Sequence, residues 1–178
     1  MKEDKGFVPF MQRPMIENVL DTAKQLSPHI TILTSNSHYK QFGFPIHHDL
    51  IPNLGPAGAI YTALHQSKSE LNIMLTCDMP FVDAHSILTL LRDIGRSDIC
   101  ISRHKEFIEP FPGIYKTCCL PQWEQCVQHK ILKLQDILSK FTVKFTEANR
   151  LLPTNPKLYG NINTKSDLDL HDSKQHGE

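Results

Sequence analysis

A chain of 178 residues can bury one full hydrophobic core and is short for two, so a single domain is expected over residues 1–170, with 171–178 as a frayed tail. Its 19 lysines and arginines balance 19 aspartates and glutamates, which argues against a general nucleic-acid or membrane-surface binder and requires any anionic ligand to be caught locally. Five cysteines without a CxxC pair or a histidine at zinc-ligand spacing point to reduced thiols in a cytoplasmic protein, and no apolar stretch approaches membrane-spanning length.

Along the chain, apolar positions switch between helical and strand periods. Pro14, Met15, Ile16, Val19, Leu20, Ala23 and Leu26 recur at three-to-four spacing and predict a helix with proline in its first turn. HITILTS, residues 29–35, is β-branched and predicts a strand. PIHHDLIPNLGPAG, residues 45–58, predicts a loop feeding a small-residue helix that packs through Ala59, Ile60, Ala63 and Leu64. LNIMLTC, residues 71–77, predicts a strand; Asp83 or His85 opens a helix through Leu91; DICISRH, residues 98–104, predicts another strand. This alternation is that of a parallel sheet covered on both faces, and the fold class is α/β.

The second half is less regular. FIEPFPGIY, residues 107–115, holds two prolines and is expected at a sheet edge or as a bent segment. Helices follow from Leu120 to Gln128 and from Ile131 to Leu138, then the alternating strand FTVKF, residues 141–145, and a capped helical tail in NTKSDLDL, residues 163–170.

Three stretches carry candidate chemistry. In LTCDMPFV, residues 75–82, an apolar run stops on Asp78, which projects into the crevice where open α/β sheets bind ligands. Pro80 turns the chain across that crevice, and a hard oxygen ligand there suits Mg²⁺. Taken alone, Asp78 reads equally well as a turn or N-cap residue. In DLIPNLGPAG, Gly55 and Gly58 bracket a proline just before a helix, so backbone N–H groups could approach a bound nucleotide. In MKEDKGFVPF, Lys5 precedes an apolar run; on its own it reads as a solvated lysine. His47 and His48 are adjacent in extended chain, point to opposite faces, and cannot easily share one metal.

In combination and order, MKEDKGFVPF with MQRPMIENVL behind it, Asp49 with GPAGAIYTAL, LTCDMPFV, EPFPGIY and GNINTKSDLDL resemble the molybdenum-cofactor guanylyltransferase family within the Rossmann-like nucleotidyltransferases. The resemblance runs from Met1 to about Leu170. It implies a three-layer, mostly parallel sheet with helices on both faces. It also implies Mg²⁺-dependent transfer of GMP from GTP to molybdopterin or its molybdenum-loaded form, with small-molecule substrates and molybdenum-cofactor insertion or acceptor proteins as partners. Residue by residue, Lys5 falls on a phosphate-binding lysine, Asp49 on an acid at the nucleotide, and Asp78 on the Mg²⁺-binding aspartate. Thr34 stands where the family usually has an asparagine, with Asn36 two residues on, which leaves the base open. Asn161 and Asn163 fall near the acceptor or metal side.

Two alternatives stay open: a cytidylyltransferase or related nucleotidyltransferase of the same fold, and a nucleotide-binding chain without activity. Family members open with a strand and a glycine-rich loop of the form LAGGxSxRMG, whose amides cradle the triphosphate. Met1 and Lys2 align inside that loop, so the resemblance implies an internal start and a native chain that extends upstream.

Overall fold

The computed structural model describes residues 4–104 and 107–160. The expected tail helix over 163–170, with Asn161 and Asn163, lies outside the described residues.

A 3-10 turn, Lys5–Phe7, leads into a small antiparallel hairpin of β1 (Pro9–Phe10) and β2 (Arg13–Pro14). The first periodic segment forms α1 (Met15–Leu26) as expected, burying Met15, Ile16, Val19 and Leu20. The strand expected over 29–35 is ordered as β3 over only Ile32–Leu33, paired in parallel with β4 (Ile46–His47), which sits inside the expected loop. The next helix, α2 (Gly55–Gln66), starts at Gly55, where φ of +60° is open to a residue without a side chain. Then come β5 (Leu71–Met74), α3 (Ala84–Asp93), β6 (Ile99–His104), β7 (Phe107–Lys116), α4 (Leu120–Gln128), α5 (Leu134–Leu138) and β8 (Val143–Glu147).

The main sheet has the order β5-β7-β6-β8. Strand β6 runs parallel to β8, whereas β7 is antiparallel to both of its neighbours, so β5, β6 and β8 point one way. The expected edge position for FIEPFPGIY is therefore corrected: it is β7, an interior strand. Its prolines escape the ladder because the register shifts between Ile101 and Ser102, leaving Pro110, Phe111 and Pro112 unpaired while 107–109 and 113–116 keep their partners.

Strand alternation sorts the two faces. Ile99, Ile101 and Tyr115 pack with α2, α4 and α5, whereas Cys100 and Ile114 pack with α3 and with Val19 of α1. Helix α2 touches both β3 and β5, and α1 reaches Ile32 through Ile16 and Leu20, so helices on both faces span the two sheets. Strands β3 and β5 each keep one side without a strand partner among the described residues. The carboxyl ends of β5, β6 and β8 all lie at the same end of the main sheet.

Candidate active site

Beyond β5 two successive turns, Met79 N–H to the Thr76 carbonyl and Val82 N–H to the Met79 carbonyl, carry the chain across the strand ends. Met79 and Val82 are buried in the α3 cluster and hold the loop from beneath. The buried Thr22 hydroxyl of α1 donates to the Val82 carbonyl at 2.8 Å. This leaves Asp78 at the rim, its side chain 19% exposed. A carboxylate brought to the end of a buried strand needs a charged or hydrogen-bonding partner. Lys5 supplies it, donating from Nζ to Oδ2 at 3.3 Å across 73 positions of sequence.

Lys5 is placed by its neighbours. The Asp4 carboxylate caps the turn by accepting from the Gly6 amide at 3.2 Å, and also accepts from the Tyr39 hydroxyl and from Asn36 Nδ2 at 2.9 Å. A Cβ on Gly6 would lie 2.1 Å from the Tyr39 oxygen, so only glycine lets the phenol close over the turn. Asn36 Oδ1 accepts from the His38 amide and caps the 3-10 turn Ser37–Phe42, while the Asn36 amide donates to Thr34 Oγ1 at 3.1 Å. The structure thus links Thr34, Asn36, Asp4 and Lys5 to Asp78 as one connected rim.

Asp49 and Gly55 stand apart from it. Both are exposed, and among the described residues no hydrogen bond or ion pair joins Asp49 to the rim. Three contributors carried no clear sequence signal: Asp4 with its clamp Tyr39, and Asn155. The last donates Nδ2 to the Phe81 carbonyl at 2.7 Å and to Asp83, the N-cap of α3. Asn155 lies in a run of turn-forming residues, where an asparagine reads as local turn chemistry.

Electrostatics follow from this packing. Burial pushes Asp4 upward, but the bonds from Tyr39, Asn36 and Gly6 outweigh it and hold the carboxyl below its ordinary 3.8. Burial pushes the Cys77 thiol up to about 11, with Asp78 and Asp4 adding and Lys5 opposing, so it stays a neutral packing group beside the rim. Among the described residues no group of three or more His, Cys, Asp or Glu is placed to hold a metal ion. A single protein carboxylate such as Asp78 is nevertheless compatible with Mg²⁺, which usually takes one or two carboxylates and completes its shell with water and substrate phosphates. Among the described residues no helix is long and apolar enough to cross a membrane.

Known proteins resemble this chain in sequence and in fold. The pattern of the MobA-like NTP transferase domain matches residues 1–144. The chain is 29% identical over 141 residues to the probable molybdenum cofactor guanylyltransferase of Flavobacterium johnsoniae, covering 79% of this chain and 74% of the relative. It is 26% identical over 170 residues to the molybdenum cofactor guanylyltransferase of Desulfosudis oleivorans, covering 93% and 84%. Among solved structures, molybdopterin-guanine dinucleotide biosynthesis protein A from Archaeoglobus fulgidus superposes with a TM-score of 0.82 at 20% identity, over 99% of this chain and 93% of that one. The 2-C-methyl-D-erythritol 4-phosphate cytidylyltransferase of Thermus thermophilus superposes with a TM-score of 0.72 at 15% identity, over 97% and 94%. Those two structural likenesses establish the Rossmann-like nucleotidyltransferase fold, and the domain match goes further: this chain belongs to the MobA-like NTP transferase family and is a nucleotidyltransferase.

Proposed function

We propose that the chain transfers GMP from GTP to the terminal phosphate of molybdopterin, or of its molybdenum-loaded form. An acceptor phosphate oxygen forms a bond to the α-phosphorus, the bond between the α-phosphorus and its bridging oxygen to the β-phosphate breaks, and pyrophosphate leaves with that electron pair. The attacking oxygen is already anionic, so no general base is required. Such chemistry asks a protein mainly for positioning and charge neutralisation. The observation that carries the reading is the Lys5 and Asp78 pair at the carboxyl end of β5.

On this reading the Lys5 ammonium is held toward the triphosphate by the Asp4 turn, and Thr34, Asn36, Asp49 and Gly55 line the nucleotide side. When bound at Asp78, Mg²⁺ would supply charge neutralisation on the phosphate oxygens. The family resemblance would assign Asn161 and Asn163, which lie outside the described residues, to acceptor binding, and the product passes to insertion or acceptor proteins.

Pyrophosphate release by the full chain with molybdopterin, GTP and Mg²⁺ tests the proposal. Release should require Mg²⁺, stop on chelation, and fall by about 100-fold or more in Asp78→Ala. Undiminished release in that variant removes Asp78 from the reaction. Faster turnover with CTP transfers the assignment to a cytidylyltransferase, and GTP binding without turnover supports a non-catalytic nucleotide-binding chain.

A further inference from the structure

Spaced four and then three positions apart, Met15, Val19 and Thr22 form one stripe along α1. Met15 is buried with Val8 and Phe10, against Phe81. Val19 is buried in the cluster that holds Met79 and Val82. Thr22 ends the stripe with its hydroxyl on the Val82 carbonyl at 2.8 Å. One side of α1 therefore follows the Asp78 loop from Met79 to Val82.

The same helix supports the other member of the rim pair. The Met15 amide donates to the Val8 carbonyl at 3.0 Å, and α1 packs on the turn Lys5–Phe7. Lys5 and Asp78, 73 positions apart, are thus set against one another by a shared platform. Their own contact is too open to solvent to fix either side chain.

Thr22 is the polar exception on that buried stripe. A mid-helix threonine commonly turns its hydroxyl to water or back to the carbonyl four residues earlier. This one is 6% exposed and reaches across 60 positions of sequence to the loop. Apolar contact at Met15 and Val19 is non-directional, whereas a hydrogen bond fixes distance and angle together. The Val82 N–H donates to the Met79 carbonyl and the Met79 N–H to the Thr76 carbonyl. A shift of the Val82 peptide therefore passes back through two linked turns to Asp78, which sits inside the first. We propose that Thr22 is a positioning residue for the Asp78 carboxylate, acting through the Val82 carbonyl without touching nucleotide or metal. This rests on the part of the transfer reading that puts Mg²⁺ at Asp78.

The test is calorimetric titration of the full chain with GTP, once with Mg²⁺ and once with EDTA. The ratio of the two affinities isolates the part of binding that depends on the metal. Thr22→Val and Thr22→Ala, whose common change is the loss of the hydroxyl, should each shrink that ratio by about 10-fold, toward its value in Asp78→Ala, while GTP affinity in EDTA stays within about twofold. Thr22→Ser should restore it. Ile137→Val, fully buried in the cluster of α2, α4 and α5, should lose stability with the ratio intact. The proposal is overturned if both hydroxyl-free variants keep the unsubstituted ratio or if Thr22→Ser fails to restore it. It is overturned too if Ile137→Val shrinks the ratio as much, because loss of packing alone would then be enough. A ratio that Asp78→Ala leaves intact removes the metal from Asp78 and takes the Thr22 role with it. A ratio lost in Asp78→Ala but kept in the Thr22 variants sinks the Thr22 role alone. A ratio lost in all of these, in a chain that transfers no GMP, sinks the transfer reading and leaves the Thr22 role standing.

Discussion

Lys5 and Asp78 meet at the rim with side chains 41% and 19% exposed. A pair so open to solvent contributes about 0–1 kcal/mol to folding, because water and salt screen it. Its value is therefore in where it holds charge. Lys5→Ala should move the urea midpoint by the equivalent of no more than about 1 kcal/mol, while pyrophosphate release falls by about 100-fold. Parallel loss of stability and activity would mark Lys5 as structural. Asp4, next door, has the opposite character: its carboxylate is spent on Gly6, Tyr39 and Asn36 and serves to aim its neighbour.

The best-defined element beside the rim is α3. Its N-cap Asp83 accepts from the Ser86 amide and hydroxyl, both at 2.9 Å, and from Asn155. Asp83→Ala should cost about 0.5–2 kcal/mol, the range for losing a side-chain cap. Asn155→Ala removes one of the same bonds from the other side, so the double variant should be less destabilised than the sum of the singles. Strict additivity in chemical denaturation would separate the two residues. Elements with a sustained period, α1 and β6 above all, were legible in the sequence, because many apolar positions vote together. Strand β4 was not: two residues of parallel pairing leave no period to read. The interior position of β7 was hidden because a bulge removes its prolines from the ladder, a tertiary event that residue preferences do not report. Lys5 and Asp78 were each singled out through the order of the motifs, but their pairing was not, because 73 positions separate them and no local spacing reports such a contact. The Asp4 and Tyr39 clamp was not either, since its partners lie 35 positions apart and neither belongs to a recognisable spacing.

Across the whole molecule, several acids and thiols are displaced in directions that bracket a plateau of stability. Asp4, Asp83, Asp93 and Asp98 all sit below the ordinary 3.8: hydrogen bonds outweigh burial in the first three and lead outright in Asp98. Depressed acids contribute stability that is present above their unfolded value, about 3.9, and is lost as pH falls through the folded values. Burial raises Cys77 to about 11, and Cys119 and Tyr159 to about 12. Raised thiols and phenols contribute stability that is present below their unfolded values and is lost as pH rises toward the folded ones. Urea midpoints should therefore be flat from about pH 5 to 8 and fall on both sides. A steep slope across that window would contradict the assignment.

Trp123 is the sole tryptophan of the chain. It is fully enclosed, donates Nε1–H to the Ala57 carbonyl at 3.0 Å, and stacks on Phe141 with ring centres 5.6 Å apart. Shielded from water, it is an optical reporter built into the chain, emitting at short wavelength while α2 and α4 stay docked and shifting red when they part. Lys5 and Asp78 are not among the residues packed around it, so substitutions at that pair should leave the emission of the folded chain unchanged. Intrinsic fluorescence will thus follow melting of this molecule faithfully.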